Sequence, residues 1–232
     1  MTTVTLDDRS RPVQVQPDGL APIAYAYDLR GHLTSATVGN GAEARQTTFS
    51  YDSAGLLAVA TDHLGRSVTL SYDASGQVVS QTNPDTGVVG FGYDANGNLT
   101  ALTPPERTTH GFSYTLTDLM ATYTPPDVGL PASQTGFTYN VDQQLIRLAQ
   151  PGGQTVDLAY DQASGRLASL TTPRGLLAST YSAMTGQKTG VSAPSGIDLA
   201  LSYLGAFLSD ETWSGPVTGS ISRTYDSNLR VT

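Results

Sequence analysis

Residues 72–78 read Tyr-Asp-Ala-Ser-Gly-Gln-Val, and residues 93–99 read Tyr-Asp-Ala-Asn-Gly-Asn-Leu. Both segments follow the pattern Tyr-Asp-x-x-Gly-x-Leu, in which x is any residue and valine can replace leucine. Asp at the first place and Gly at the fourth place of a tight turn predict a type I turn that ends in a left-handed glycine. The carboxylate caps free backbone N–H groups there, and glycine accepts positive φ. Each segment therefore predicts a β-hairpin.

The same pattern returns along almost the whole chain. Further clear copies begin at Tyr27 and Tyr51, and a tyrosine recurs every 21 to 25 residues. Repetition at a fixed period indicates one supersecondary unit copied about ten times. The positions that we expect to carry the repeat structurally are Tyr27, Asp28, Gly31, Tyr51, Asp52, Gly55, Tyr72, Asp73, Gly76, Tyr93, Asp94, Gly97, Tyr114, Tyr139, Tyr160, Asp161, Tyr181, Tyr203 and Tyr225.

The segments between these turns alternate in polarity. In residues 68–72 and 156–160, for example, every second side chain is apolar or aromatic. A period of two indicates β-strands, and a second set of turns about half a period later gives each repeat two strands. The tyrosine side is bulky, whereas the opposite side carries Ser, Thr, Gly and Ala. We therefore expect one well-packed face and one small, mildly polar face.

The sequence thus predicts an all-β protein, a long antiparallel meander of tandem hairpins without a helix of ordinary length. Open twisted sheets rarely exceed ~10 strands without curling, so we expect this meander to curl into a spiral or solenoid-like sheet. Residues 1–24 are expected to form leading strands of a degenerate or partial repeat, and residues 25–232 to hold about ten tandem repeats. The Pro-rich segments 103–105 and 124–131 lack clear alternation.

The end of the chain suggests a missing continuation. Residues 230–232 fall in the strand after a turn. We therefore expect the repeats to be truncated at the C-terminus, as in a fragment of a longer protein. Because both edges of such a sheet expose unpaired N–H and C=O groups, we expect the isolated chain to self-associate.

The net charge of −8 has a local explanation. Aspartates recur at the first turn place, so we interpret the acidity largely as turn chemistry. The single lysine, Lys188, and the scattered arginines argue against a nucleic-acid partner, which needs a basic stripe. The absence of cysteine excludes disulfides and thiolate metal sites. With no long apolar stretch and no apolar N-terminal segment, the sequence predicts no membrane span and no classical signal peptide.

No set of residues predicts catalysis, and we expect no enzyme activity, no cofactor and no metal. His32, His63 and His110 fall in different phases of the repeat, so nothing is expected to bring them together. Residues 94–98 resemble the start of a calcium loop, but Pro105 stands where the loop needs Glu, and we interpret the segment as a turn. Two interpretations stay open for Trp213, namely packing as an edge plug or stacking on carbohydrate.

The repeated Tyr-Asp-x-x-Gly-x-Leu, with endings such as Phe49-Ser-Tyr-Asp52 and Phe91-Gly-Tyr-Asp94, resembles the YD repeat of RHS proteins, teneurins and the C component of insecticidal Tc toxins. The resemblance covers residues 25–232 and depends on the number of copies. It implies a spiralling β-sheet that builds a hollow shell, which in bacterial members encloses a toxic C-terminal domain before delivery. In teneurins it implies the same shell as an extracellular scaffold for cell adhesion.

Several repeats depart from this pattern. Asp118, Gln143 and Leu229 stand where the turn glycine is expected, and Gly165 and Gly186 come one residue late. We expect altered or bulged turns at these five places.

Two hypotheses from different classes follow from the repeat and its resemblance. In the first, the chain is a structural segment of an RHS/YD-repeat shell that encapsulates or presents a toxin or effector domain in bacterial competition or host interaction. Its partners would be the rest of the shell and the enclosed domain. In the alternative, the chain is an extracellular module that binds glycans or a partner protein. Both hypotheses place the full-length protein outside the cell or at its surface.

Overall fold

A computed structural model describes residues 1–127 and 134–232. Within these residues the chain forms twenty-one β-strands and two short 3-10 turns, Gly41–Glu43 and Pro194–Gly196, and no α-helix. The all-β class predicted from the sequence is therefore confirmed. Residues 128–131 of the predicted Pro-rich segment lie outside the described residues. The chain has two compact units, Met1–Phe112 and Ser113–Thr232.

The first unit is an antiparallel meander in which each strand pairs with the next one along the chain. Its last strand, β11, extends past the boundary between the units. The strands are β1 (Thr3–Leu6), β2 (Pro12–Gln16), β3 (Ile23–Tyr27), β4 (Leu33–Val38), β5 (Arg45–Tyr51), β6 (Leu57–Thr61), β7 (Ser67–Tyr72), β8 (Val78–Thr82), β9 (Val88–Tyr93), β10 (Leu99–Thr103) and β11 (His110–Tyr114).

The second unit is a meander of the same kind, in which consecutive strands pair within the described residues. Its strands are β12 (Met120–Thr124), β13 (Thr135–Tyr139), β14 (Leu145–Ala149), β15 (Thr155–Tyr160), β16 (Leu167–Thr172), β17 (Gly175–Tyr181), β18 (Lys188–Ala193), β19 (Ile197–Leu204), β20 (Phe207–Ser214) and β21 (Gly219–Ser222). The curl into a spiral and the division at residue 25 stay predictions.

The turns that follow the repeat tyrosines have the geometry expected from their sequence. At the β7–β8 hairpin the Asp73 N–H donates to the Gln77 carbonyl at 3.0 Å, and the Gly76 N–H donates to the Asp73 carbonyl at 3.1 Å. Gly76 has a φ of +79°, and the ladder shifts register between Ser71 and Tyr72. A type I turn with a glycine bulge produces this combination.

The prediction of altered turns is wrong for Asp118, Gln143 and Leu229. These residues adopt φ values of +59°, +62° and +63°, and each keeps the hydrogen bond from its N–H to the carbonyl three residues earlier. A non-glycine residue in the left-handed region costs roughly 1–2 kcal/mol. The paired strands on both sides hold the turn in place despite this cost.

The prediction of altered turns is right for Gly165 and Gly186. The Gly165 N–H donates to the Asp161 carbonyl at 2.8 Å, four residues away rather than three, and the Asp161 N–H donates to the Arg166 carbonyl at 2.8 Å. Gly186 repeats this arrangement with Ser182. The extra residue therefore enlarges the loop without disturbing the strands.

Neither unit has a fully buried hydrophobic side chain among the described residues. On β7, Val68, Leu70 and Tyr72 are half-buried, whereas Thr69 and Ser71 are exposed. The face that was expected to be well packed is therefore only half-buried. In a single-layer sheet the bulky side chains are covered by neighbours in the same sheet and not by a second layer.

Replacing Gln143 by glycine is expected to raise the free energy of unfolding by about 0.5–1 kcal/mol, because glycine removes left-handed strain but loses more entropy on folding. Urea unfolding followed by circular dichroism measures the change. Asp142→Gly is the matched control, since Asp142 lies in the same turn and is not among the positive-φ residues. Asp142→Gly should lower the free energy of unfolding. If Gln143→Gly lowered it by the same amount, Gln143 would not be strained.

Candidate functional site

The repeat tyrosines stand at equivalent places in the sheet. Eight of them are the last residues of strands, namely Tyr27, Tyr51, Tyr72, Tyr93, Tyr114, Tyr139, Tyr160 and Tyr181. Tyr203 lies one residue before the end of β19, and Tyr225 forms an isolated bridge with Val231. The aspartates Asp28, Asp52, Asp73, Asp94 and Asp161 follow directly, and Gly31, Gly55, Gly76 and Gly97 have positive φ. One edge of each unit thus carries a series of nearly identical turns.

The tyrosine hydroxyls connect successive repeats. The Tyr72 hydroxyl donates to the Leu57 carbonyl at 2.8 Å, and the Tyr93 hydroxyl donates to the Val78 carbonyl at 3.0 Å. Leu57 and Val78 occupy the leucine place of the preceding repeat. We call these bonds the tyrosine ladder, and its other members are Tyr27 to Pro12, Tyr51 to Leu33, Tyr139 to Met120, Tyr160 to Leu145, Tyr181 to Leu167 and Tyr225 to Leu208.

Sequence reasoning missed this function of the hydroxyl. The alternation of apolar residues explains an aromatic ring at the end of a strand, but it does not distinguish tyrosine from phenylalanine. The sequence nevertheless holds a signal, because all ten phased positions carry tyrosine, while phenylalanine occurs at other strand positions such as Phe49 and Phe91. A hydrogen bond that only tyrosine can make explains this preference at the eight ladder positions.

The residue that follows the fourth turn place, which we call the turn-exit residue, also contacts the next repeat. His32 stacks on Tyr51 with ring centroids 4.6 Å apart. The Arg11 guanidinium lies 4.4 Å from the Tyr27 ring centroid. Stacking and cation–π contacts of this kind each contribute about 0.5–1 kcal/mol at partly exposed sites. Each of these side chains therefore covers the tyrosine that follows it.

Glutamine at the turn exit makes a different contact with the next turn. The Gln144 Nε2 donates to the Gly165 carbonyl at 2.9 Å, and the Gln187 Nε2 donates to the Gly205 carbonyl at 2.7 Å. At Gly97, a Cβ atom would lie 3.0 Å from the Gln77 Nε2. Glycine at this place thus both adopts positive φ without strain and leaves room for the glutamine of the preceding repeat.

The turn aspartates use their carboxylates within their own turns. The Asp62 Oδ1 accepts the Leu64 and Arg66 N–H groups, both at 2.9 Å, and its Oδ2 accepts the Arg66 Nε at 2.7 Å. The Arg66 side chain, followed by these backbone N–H groups, holds the pKa of Asp62 below its ordinary value. The Asn98 side chain and backbone do the same to the pKa of Asp94.

Acidification is expected to destabilise the turns. The folded-state pKa of Asp62 is depressed, so its contribution to stability is fully present above the ordinary value of 3.8 and is lost as the pH falls through the folded-state pKa. Thermal unfolding at stepwise lower pH should show a falling midpoint. The Asp62→Asn variant should lose less on acidification than the parent chain, and an identical pH profile for both would contradict this role of Asp62.

Two of the residues considered for chemistry, His32 and Asp94, are engaged within their own turns. His32 pairs with Asp28 in its own turn, with Nδ1 and Oδ2 3.1 Å apart. Within residues 1–127 and 134–232, no group of three or more His, Cys, Asp or Glu side chains is placed to hold a metal ion. The Asp94 carboxylate is occupied by the Asn96 and Asn98 N–H groups and by the Asn98 amide. This segment is thus organised as a turn.

Trp213 packs within the sheet. It is half-buried on β20 and pairs with Gly219 on β21. A Cβ atom at Gly219 would lie 2.6 Å from the Trp213 Cζ2, so the indole ring occupies the space above the glycine. Of the two interpretations of Trp213, this contact favours packing.

No helix among the described residues has the length and apolar character needed to cross a membrane.

Tandem two-stranded hairpins, tied to one another by the tyrosine ladder and by the turn-exit residues, define a repeat protein of the YD type. The family model described as Teneurin YD-shell matches residues 1–232. The chain therefore belongs to the Teneurin YD-shell family, and the resemblance inferred from the sequence is confirmed. The match also includes residues 1–24, where Asp7 forms a turn whose fourth residue, Ser10, has a φ of +61°.

Solved structures of Tc toxin components share this fold. A chain of the TcdB2-TccC3-Cdc42 crystal structure aligns with a TM-score of 0.62 and 14% identity, over 99% of this chain and 16% of that chain. A chain of TcdB2-TccC3 without its hypervariable C-terminal region gives a TM-score of 0.63 and 14% identity, over 100% of this chain and 16% of that chain. The present chain thus spans a small part of each of these two chains. No protein with a curated description matches the sequence significantly.

Proposed function

We propose that this chain is a structural segment of an RHS/YD-repeat shell that encapsulates or presents a toxin or effector domain, and that it is not an enzyme. The tyrosine ladder is the observation that carries the proposal. It ties hairpins to their neighbours by the same bond at eight repeat tyrosines, in both units, so the stabilising contacts run along the sheet rather than into a core. The sheet of a shell is stabilised by contacts between neighbouring repeats, whereas a catalytic domain needs a pocket.

Contacts between neighbouring repeats also allow a very long sheet. Because each repeat contacts mainly the repeat before and after it, further copies can be added without a new core. The matched structures contain much longer chains, of which this chain covers 16%. In this proposal the partners are the remaining shell repeats and the enclosed domain, and the complete protein acts outside the cell or at its surface.

The contact of Trp213 gives no support to the alternative, an extracellular module that binds glycans or a partner protein. Trp213 was the candidate for stacking on a sugar, but its ring lies against Gly219. Carbohydrate stacking needs an open aromatic face. The packing of Trp213 thus favours the shell segment over the glycan-binding module.

Limited proteolysis of the complete protein that contains this chain tests the proposal. We expect a segment outside the repeats to resist protease while the wall is intact. The double variant Tyr72→Ala and Tyr93→Ala removes two ladder bonds and two half-buried rings, and it should expose the protected segment. Mass spectrometry of the early fragments identifies which segment is cut and how fast.

The matched control is Ala74→Ser, a change at an exposed turn position between the two tyrosines. This variant should protect the segment as well as the parent protein does. The shell proposal is overturned if the complete protein has no protected segment outside the repeats. It is equally overturned if the double variant unfolds these repeats, as shown by circular dichroism, while protection stays unchanged.

A further inference from the structure

The sequence contains two Asn-Gly pairs, Asn40-Gly41 and Asn96-Gly97. Both pairs are exposed, but the fold gives them different hydrogen bonds. Asparagine is among the chemically labile residues. Its side-chain carbonyl carbon is open to attack by the backbone nitrogen of the following residue, and glycine offers the least steric hindrance to that attack. The reaction needs a free nucleophilic N–H and a backbone that can rotate. The two pairs differ in the hydrogen bonds that engage the asparagine and the N–H of the glycine.

The Asn96-Gly97 pair is held inside a repeat turn. The Gly97 N–H donates to the Asp94 carbonyl at 3.1 Å, and the Asn96 N–H donates to the Asp94 Oδ1 at 2.9 Å. The β9–β10 hairpin closes around this turn through the Asp94 N–H, which donates to the Asn98 carbonyl at 3.0 Å. Both the nucleophile and the backbone around it are therefore engaged.

The Asn40-Gly41 pair lies in the connection between β4 and β5 and is exposed at both residues. Asn40 is extended, with φ of −131° and ψ of 157°, and its side chain makes no capping bond. Gly41 is the first residue of a 3-10 turn, so its N–H has no acceptor within that turn. Among the backbone hydrogen bonds of the described residues none uses the Gly41 N–H. No heavy atom lies within 4 Å of the place where a Gly41 Cβ would stand.

We propose that Asn40 is a site of spontaneous deamidation that converts it to isoaspartate. The Gly41 nitrogen loses its proton to solvent, attacks the Asn40 Cγ and forms the new C–N bond of a succinimide. The Cγ–Nδ2 bond of Asn40 breaks, and the side-chain nitrogen takes a proton from solvent and leaves as ammonia. Water then opens the ring. Opening at the main-chain carbonyl gives isoaspartate, and opening at the former side-chain carbonyl gives aspartate.

The modification changes the connection in two ways. It adds a carboxylate three residues before Glu43, and the isoaspartyl linkage inserts one methylene into the main chain. The neighbouring Gly39 N–H donates to the Pro22 carbonyl at 2.8 Å. A longer backbone at Asn40 therefore acts on the contact that ties this connection to the start of β3.

Timed incubation of the folded chain in mildly alkaline buffer, followed by peptide mapping, measures both sites in the same sample. Isoaspartyl methyltransferase labelling identifies the isoaspartyl product. We expect conversion at Asn40 to be at least about fivefold faster than at Asn96, the factor that corresponds to one hydrogen bond of ~1 kcal/mol. In denaturant the two rates should become similar, because the turn around Asn96 is lost.

Two variants keep the comparison independent of the shell proposal. Asn40→Gln should abolish labelling at this site and leave the circular dichroism spectrum unchanged. Asp94→Ala removes the carboxylate that holds Asn96 and should accelerate conversion there. The inference is overturned if folded Asn96 converts as fast as Asn40, or if folded Asn40 stays intact under conditions that convert both sites in the unfolded chain.

Discussion

Replacing Tyr93 by alanine is expected to lower the free energy of unfolding by about 2–3 kcal/mol, and replacing it by phenylalanine by about 1 kcal/mol. The phenylalanine variant loses only the hydrogen bond to the Val78 carbonyl. The alanine variant also loses the ring, which is half-buried. Removal of a fully buried aromatic ring costs about 3–5 kcal/mol, and partial exposure of this ring reduces that loss.

Urea unfolding monitored by circular dichroism measures both losses at Tyr93. Tyr25 provides the matched control, because it is also a half-buried strand tyrosine but forms no hydrogen bond through its hydroxyl among the described residues. Tyr25→Phe should therefore change stability by less than about 0.5 kcal/mol. Equal effects of Tyr25→Phe and Tyr93→Phe would show that the tyrosine ladder does not stabilise the sheet.

The parts of this fold that the sequence predicts are those decided within a few residues. Asp73 and Gly76 satisfy the needs of one tight turn, and the alternation in β7 determines which side chains share a face. Both depend on local geometry, so one repeat is enough to predict them, and recurrence of the pattern along the chain strengthens the prediction. The strand order follows as well, since short turns leave only the next strand within reach.

The features that escaped prediction depend on atoms far apart in the sequence. The acceptor of the Tyr72 hydroxyl is a backbone carbonyl fifteen residues earlier, and no side-chain pattern marks a carbonyl as an acceptor. In the turn that Asn83 begins, Thr86 has positive φ, at +69°, whereas the glycine that follows it does not. Gly87 instead faces Pro105 in the next repeat, where a Cβ atom would lie 3.0 Å from the proline Cβ.

Replacing Gly215 by alanine is expected to lower the free energy of unfolding by about 2–4 kcal/mol, the sum of left-handed strain and an overpacked contact. Gly215 lies between β20 and β21 with a φ of +112°. A Cβ atom there would collide with the Gly196 carbonyl oxygen and would stand 3.3 Å from the Ile197 Cα. Because both neighbours are backbone atoms, no side-chain rotation relieves the collision, and the connections before β19 and after β20 must separate.

Gly152→Ala separates the collision from the backbone strain. Gly152 also has positive φ, at +86°, but no heavy atom lies within 4 Å of its Cβ position, so its replacement should cost only about 1 kcal/mol. Trp213, the single tryptophan, is two residues from Gly215, and its fluorescence during urea unfolding reports on this part of the sheet. If both variants shift the transition equally, the close approach of Gly215 to Gly196 does not limit stability. If Gly215→Ala alone shifts it strongly, backbone contact between successive repeats joins the tyrosine ladder as a source of cohesion.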